Sequence, residues 1–137
     1  MKKNIKDYWN KFYNKKIIFK ESSFARFVFK KFPSTKKKKL VDVGCGNGRD
    51  SFYFNKKGYD VTGLDLSNSA IQNNSLFKNN YLNFNRFDIE KNSTSKKFDI
   101  IYSRFFIHAL SEKGEKKFIK FINKTKKNNT FVCLEFR

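Results

Sequence analysis

The chain has 137 residues, and its 31 Lys and Arg residues outnumber the 12 Asp and Glu residues to give a formal net charge of +19. This length allows one domain, and an apolar fraction of 39% is too high for an intrinsically disordered chain. The apolar runs are short, so we expect neither a membrane span nor a secretory signal. Two cysteines are too few for a disulfide framework or a four-ligand zinc site, so we expect a reducing, cytoplasmic setting and no metal.

The positive charge admits nucleic acid as a partner, because lysine and arginine displace counterions from phosphates. The basic residues are mostly lysine, however, and the chain is also rich in Asn, Phe, Ile and Tyr. All these residues have codons rich in A and T, so a biased genome would produce this composition without selection for binding. The lysines are spread along the chain, and the densest run, residues 36–39, directly precedes an apolar segment. A nucleic-acid partner is therefore open but not favoured.

The first 35 residues predict two helices. Apolar residues three or four positions apart predict an amphipathic helix over residues 4–14. A second helix follows Ser22 or Ser23, either of which can cap its first turn, and Pro33 ends it. We expect this helical region, residues 1–35, to cover part of the rest of the domain.

From residue 38 onward, predicted strands and helices alternate in one core that extends to residue 137. Such alternation is typical of a largely parallel sheet with helices on both faces. The predicted strands are residues 40–43, 59–64, 83–87, 98–102 and 130–136, and the predicted helices are residues 49–57, 67–78 and 112–126.

A glycine-rich loop and two acidic residues predict a nucleoside site. Gly44, Gly46 and Gly48 follow the first predicted strand, where glycine allows the backbone to turn sharply and approach a ligand closely. Asp65 ends the second strand, where a carboxylate can accept hydrogen bonds from a ribose diol, and Asp88 ends the third. Ligands of such sheets bind at the carboxyl ends of the strands, so we expect all three features at one edge.

These segments together resemble the class I S-adenosylmethionine-dependent methyltransferases. The matching motifs are VDVGCGNG at 41–48, VTGLDLS at 61–67, FDI at 87–89 and FDIIYS at 98–103. The aromatic N-terminal helices are similar to those that cover the cofactor in small-molecule members such as the tellurite-resistance and thiopurine enzymes. The glycine spacing differs from the G-x-G-x-x-G of nicotinamide enzymes. The resemblance implies an α/β, Rossmann-like three-layer sandwich with strand order 3-2-1-4-5, and S-adenosylmethionine as the cofactor.

The resemblance also implies the roles of individual residues. Asp65 would bind both ribose hydroxyls, Leu66 would lie against adenine, and Asp88 would meet the adenine amino group. Arg26 would pair with the methionine carboxylate. The full implied set of cofactor contacts is Asp42, Gly44, Cys45, Gly46, Gly48, Asp65, Leu66, Asp88, Ile89, Ser103 and Arg26. A lid over the cofactor would come from Tyr8, Trp9, Tyr13, Ser23, Phe24 and Arg26, although these aromatic residues fit equally well as packing on the sheet.

No catalytic residue is assigned by the motifs. His108 is a candidate general base, but a structural histidine is the more common case. Arg104 would either bind an acidic acceptor or face solvent. We expect methyl transfer to a small molecule, because no base-binding motif such as Asn-Pro-Pro-Tyr follows strand four.

Two alternatives to this function stay open. One is a nucleic-acid methyltransferase. The other is a truncated or non-catalytic cofactor-binding domain that pairs with a partner, because the family's usual helix and antiparallel strands after strand five are missing. The bare edge at residues 130–136 would then favour a homodimer.

Overall fold

The computed structural model describes residues 20–137, so the helix predicted over residues 4–14 lies outside the described residues. None of the helices within residues 20–137 combines the length and the apolar character needed to cross a bilayer. The strands are β1 (Lys39–Val43), β2 (Asp60–Asp65), β3 (Leu82–Arg86), β4 (Phe98–Arg104) and β5 (Lys126–Glu135). The helices are α1 (Ser23–Lys31), α2 (Arg49–Lys56), α3 (Asn68–Ser75), α4 (Glu112–Thr125) and a short 3-10 helix, Ile107–Ala109.

The five strands form one sheet in the order β3-β2-β1-β4-β5, and every neighbouring pair is parallel. The predicted fold class and strand order are confirmed. Since all strands run in the same direction, their carboxyl ends meet at one edge of the sheet and their amino ends at the opposite edge. We call these the carboxyl edge and the amino edge.

The core lies on both faces of β1, the central strand. Leu40 belongs to a cluster with Val28 of α1 and Phe54 of α2, whereas Val41 packs with Phe118 of α4 on the other face. This alternation is the period of two that a strand gives to successive side chains. The helices therefore cover both faces of the sheet, as in a three-layer sandwich.

Serine side chains fix three of the helix starts. Ser22 caps α1 by accepting a hydrogen bond from the backbone N–H of Ala25 at 3.0 Å, and Ser67 and Ser111 cap α3 and α4 in the same way. Gly48 precedes α2 with φ of 76° and gives no side-chain cap. The start of α2 therefore depends on the glycine loop that leads into it.

Two predicted boundaries were wrong by three or more residues. Helix α3 ends at Ser75 rather than near Lys78. Strand β5 begins at Lys126 rather than Thr130, because Lys126 already pairs with Phe98 before a bulge brings Phe131 opposite Ile100. The hydroxyl of Thr130 holds this bulge by donating to the carbonyl of Phe98 at 2.6 Å.

Candidate functional site

The glycine loop lies at the carboxyl edge, between β1 and α2. The backbone N–H groups of Gly44 and Cys45 both donate to the carbonyl of Leu64, at 2.8 and 2.9 Å. The N–H of Gly46 donates to Oδ2 of Asp65 at 2.8 Å. These hydrogen bonds connect the loop to the end of β2, so the loop and Asp65 hold each other in place.

Gly44 is required both because it has no side chain and because of its backbone angle. Its φ is 77°, and a Cβ added there would lie 2.5 Å from the ring of Phe106. Any side chain at this position would therefore strain the backbone and collide with an aromatic ring.

The first of two clefts at this edge has a volume of about 290 Å³. Asp65 and Asp88 supply carboxylates to it. Oδ1 of Asp65 accepts from the N–H of Ser67 at 2.8 Å, and Oδ1 of Asp88 accepts from the N–H of Glu90 at 2.9 Å. The rest of the lining is mainly apolar: Val43, Gly44, Leu64, Leu66, Phe87, Ile89, Glu90, Phe106, Ala109, Leu110 and Ser111. A flat apolar ring with polar groups at its rim fits such a lining.

The second cleft, of about 160 Å³, is smaller and more polar. It shares Gly44 with the first cleft, so the two lie on either side of one glycine. Its lining carries both signs of charge: Asp42, Gly44, Cys45, Gly46, Asn47, Arg49, Asp50 and Arg104. An elongated ligand that spans both clefts would have an apolar ring at one end and a zwitterionic group at the other.

Asp42 is a buried carboxyl in the second cleft. Its Oδ2 accepts a hydrogen bond from the hydroxyl of Ser51 at 2.7 Å. Burial, reinforced by the nearby carboxylates of Asp50 and Asp65, raises the pKa of Asp42 to about 8. The group is therefore mostly protonated at neutral pH, and an approaching cation would favour its ionised form.

Asp50 organises a buried polar cluster behind the same cleft. Its Oδ2 accepts from the hydroxyls of Ser22 and Tyr102, at 2.7 and 2.6 Å, and its Oδ1 accepts from the N–H of Ser22 at 2.8 Å. Burial and the adjacent Asp50 carboxylate raise the pKa of Tyr102. The cluster joins α1, α2 and β4, so it fixes the helix start that carries Arg49.

Most of the predicted cofactor contacts line the two clefts. Asp65, Leu66, Asp88 and Ile89 line the first cleft, Asp42, Cys45 and Gly46 line the second, and Gly44 lines both. The thiol of Cys45 is buried, and burial raises its pKa. It is therefore a poor nucleophile.

Three predicted contacts do not line either cleft. Arg26 is exposed on α1 and pairs with Glu21 at 3.6 Å. Ser103 is buried and donates its hydroxyl to the carbonyl of Val43 at 2.9 Å, so it holds β4 to β1. Gly48 is buried at the start of α2 and lines neither cleft.

The two weak catalytic candidates have different surroundings. Arg104 lines the second cleft and forms an ion pair with Glu135 at 2.8 Å. His108 lies in the 3-10 helix with its ring 6.2 Å from that of Phe105, and it lines neither cleft. Phe105 has a φ of 54°, a conformation that is costly for a residue other than glycine.

The predicted lid is described only in part. Tyr8, Trp9 and Tyr13 lie outside the described residues. Phe24 stacks on Tyr102, with ring centroids 5.2 Å apart, so it packs on the sheet. Ser23 is exposed at the start of α1.

Several residues of the clefts were not predicted from the sequence, among them the following four. Asn47, Arg49 and Asp50 line the second cleft, and Phe106 lines the first. Nε of Arg49 is buried, and within residues 20–137 it makes no hydrogen bond. Arg49 and Asp50 could have been predicted from their position in the sequence, because they directly follow the glycine loop. Among residues 20–137, no group of His, Cys, Asp and Glu could hold a metal ion.

Proteins that are similar to this chain include methyltransferases. A curated relative from Haemophilus influenzae, "Probable S-adenosyl-L-methionine-dependent methyltransferase TehB", is 30% identical over 118 residues. The aligned part is 83% of this chain but 39% of the relative, so this chain spans well under half of the relative's length. A TehB-like S-adenosylmethionine-dependent methyltransferase from Corynebacterium glutamicum has a TM-score of 0.70 at 22% identity, over 95% of this chain and 70% of that chain.

A more distant solved structure has the same fold. The glycopeptide N-methyltransferase MtfA, in complex with S-adenosyl-L-methionine, has a TM-score of 0.69 at 18% identity, over 80% of this chain and 52% of that chain. The family model described as "Tellurite resistance protein TehB" matches residues 1–133. This chain therefore belongs to the TehB family, as the motifs predicted.

Proposed function

We propose that this chain binds S-adenosylmethionine across the two clefts and transfers its methyl group to a small-molecule acceptor. The observation that carries the proposal is the junction of the clefts at Gly44, with an apolar cleft that holds two carboxylates on one side and a cleft with both signs of charge on the other. The names of the relatives support the same cofactor.

The lining of each cleft fits one part of this cofactor. The apolar walls of the first cleft suit adenine, and the carboxylates of Asp65 and Asp88 are acceptors for ribose hydroxyls and the adenine amino group. Each oxygen of Asp65 accepts one backbone N–H and keeps a further lone pair. In the second cleft, Asp42 and Asp50 suit an α-ammonium group, and Arg49 and Arg104 suit an α-carboxylate.

The chain's part in catalysis is mainly to position the reactants. S-adenosylmethionine supplies, when bound, an electrophilic methyl group on a sulfonium centre. A nucleophilic acceptor then needs little acid–base help, so alignment and exclusion of water are the main requirements. Phe106 and Arg104 border the two clefts next to Gly44 and are suited to these tasks. We assign no proton transfer to His108.

The charge around the clefts supports a small acceptor. The residues that line the clefts include Asp42, Asp50, Asp65, Asp88 and Glu90 beside Arg49 and Arg104. A nucleic-acid acceptor would need an excess of positive charge around the methyl group to hold its phosphates. Methylation of nucleic acid therefore stays the less favoured alternative.

The binding proposal is tested by titration calorimetry with S-adenosylmethionine and its demethylated product. We expect Asp65→Asn to weaken binding by about 10- to 100-fold, because a lost charged hydrogen-bond acceptor costs about 1.5–3 kcal/mol. Asp60→Asn is the matched control, since Asp60 begins the strand that Asp65 ends. Equal affinities for both variants, with unchanged circular dichroism, would contradict the ribose assignment. Absence of cofactor binding by the unmodified chain would contradict both the methyltransferase proposal and the non-catalytic cofactor-binding alternative.

The homodimer and the location stay predictions. Strand β5 lies at the edge of the sheet, where Phe131 and Val132 are 46% and 41% exposed. Light scattering after size exclusion would detect a dimer built on this edge. The cytoplasmic setting rests on the two cysteines, Cys45 and Cys133, which are both buried and unpaired.

A further inference from the structure

Among residues 20–137, positive charge is concentrated at the amino edge of the sheet. Thirteen lysines lie at the strand starts or in the last helical turns beside them, and only Asp60 and Asp99 oppose them there. The other nine acidic residues among residues 20–137 lie elsewhere, as do all five arginines. The lysines of this basic edge are Lys30, Lys31, Lys36, Lys37, Lys38, Lys39, Lys56, Lys57, Lys96, Lys97, Lys124, Lys126 and Lys127.

Contacts within the structure show that these lysines share one surface. Nζ of Lys37, before β1, lies 4.0 Å from the ring centroid of Tyr81, before β3. Nζ of Lys97, before β4, donates to the carbonyls of Lys124 and Lys126, before and in β5, at 2.7 and 3.4 Å. The basic edge therefore extends across all five strands, about 19 Å at the usual strand spacing.

Structural needs explain only part of this charge. Lys30, Lys31, Lys56 and Lys124 lie in last turns of helices, where a cation offsets the helix dipole. Within residues 20–137, Lys127 is the only one of the thirteen that forms an ion pair, and its partner is Asp99. A biased codon usage would raise the number of lysines in every part of the chain. It therefore does not explain why these lysines lie apart from the acidic residues.

Aromatic rings accompany the lysines at both ends of the basic edge. Tyr81 is 44% exposed beside Lys37, next to β3. Phe131 is 46% exposed on β5 and stacks on Phe32 with ring centroids 4.0 Å apart. Lysines interleaved with exposed rings are typical of surfaces that bind single-stranded nucleic acid, where phosphates meet the cations and bases stack on the rings.

We propose that the basic edge is a docking surface for single-stranded nucleic acid. Lysine rather than arginine suits this role, because a flexible point charge follows a phosphate backbone without reading its sequence. The surface lies at the end of the sheet opposite the clefts, separated from them by the length of β1, roughly 16 Å for five residues. The role assigned to the bound strand is to tether the protein, since the clefts open at the opposite edge of the sheet.

The test measures fluorescence anisotropy of labelled 20-nucleotide oligo(U) with the full chain and two matched variants. One variant carries Lys36→Gln, Lys37→Gln, Lys38→Gln and Lys39→Gln. The control carries the same change at four lysines of α4, which lies outside the basic edge over most of its length: Lys113, Lys116, Lys117 and Lys120. Both variants lose four charges. We expect the first to lose at least about tenfold in affinity and the control less than about threefold, because only the first removes phosphate contacts.

Salt dependence and Tyr81 give independent readouts. The slope of log affinity against log salt should become shallower by about 2 to 3 in the basic-edge variant, as expected for three or four lost phosphate contacts. Tyr81→Ala should weaken oligo(U) about fivefold and a 20-base-pair duplex less than twofold, because only unpaired bases can stack on the ring.

Several outcomes would overturn the proposal. Equal losses in the two quadruple variants would show that net charge alone drives binding. Tighter binding to vesicles of phosphatidylcholine and phosphatidylserine than to oligo(U) would identify a membrane surface instead. Unchanged affinity for S-adenosylmethionine in every variant is the control for folding, and it keeps this test separate from that of the methyltransferase function.

Discussion

The two edges of the sheet carry different chemistry. At the carboxyl edge, few residues are fixed closely: Asp65 binds the glycine loop, and Asp50 is held by Ser22 and Tyr102. At the amino edge, thirteen lysines share one surface. Recognition at the first edge depends on geometry, so a single substitution should be costly. Recognition at the second edge depends on the summed charge of the lysines. Each single substitution should therefore lower the affinity for a ligand only slightly, and the losses of affinity should add up.

A pair of glycines tests this contrast, and we expect it to give the largest difference. Gly44 follows β1 at the carboxyl edge and Gly58 precedes β2 at the amino edge, with φ of 77° and 96°. Alanine at either position strains the backbone by about 1–2 kcal/mol. Only at Gly44 does the added Cβ meet a neighbour, the ring of Phe106, whereas nothing lies within 4 Å at Gly58.

We therefore expect Gly44→Ala to weaken S-adenosylmethionine binding by about 100-fold and Gly58→Ala to leave it within about twofold. Urea denaturation measures the shared backbone cost, and calorimetry measures cofactor affinity. Equal affinities for the two variants would mean that the approach of the ligand to Gly44 is unimportant.

The arginines give a second, smaller effect. The resemblance implied Arg26 as the partner of the cofactor carboxylate, but Arg49 and Arg104 line the second cleft instead. We expect Arg49→Gln to weaken cofactor binding about tenfold, because a charge-assisted hydrogen bond is lost. Arg26→Gln, the control, should change affinity less than twofold. If Arg26→Gln weakened cofactor binding more than Arg49→Gln, Arg26 would be the partner of the cofactor carboxylate, as the resemblance implied.

The prediction from sequence succeeded where periodicity and topology decide the outcome. Alternating strands and helices predicted a parallel sheet, the resemblance implied its strand order, and a parallel sheet necessarily brings Asp65 and Asp88 to one edge with the glycine loop. Side-chain direction depends on packing between elements, so the place of Arg49 in the second cleft was not predicted, and Arg26 and Ser103 line neither cleft. The early start of β5 was missed because its first four residues, Lys126 to Asn129, are polar and look like a loop.

A further contrast concerns pH, because Asp42 is a buried carboxyl at the carboxyl edge. In the fold, burial raises the pKa of this carboxyl to about 8, whereas an unfolded aspartate titrates near pH 4. Between these values the unfolded chain releases a proton that the folded chain keeps, so rising pH favours unfolding. The free energy of unfolding of the unmodified chain should therefore fall from pH 4 to pH 8 relative to that of Asp42→Asn. Urea denaturation across this range would show the divergence, and parallel curves would contradict it.

The same proton links Asp42 to the cofactor. An α-ammonium group in the second cleft would favour the ionised carboxylate, so binding below pH 8 must release the proton first. Affinity for S-adenosylmethionine should then rise between pH 6 and pH 8, by at most about tenfold per pH unit. Asp42→Asn should remove this part of the pH dependence, whereas Asp60→Asn, at the amino edge, should keep it. If both variants followed the unmodified chain, the ammonium group would have to lie away from Asp42, and the zwitterionic end of the ligand would depend on Asp50 alone.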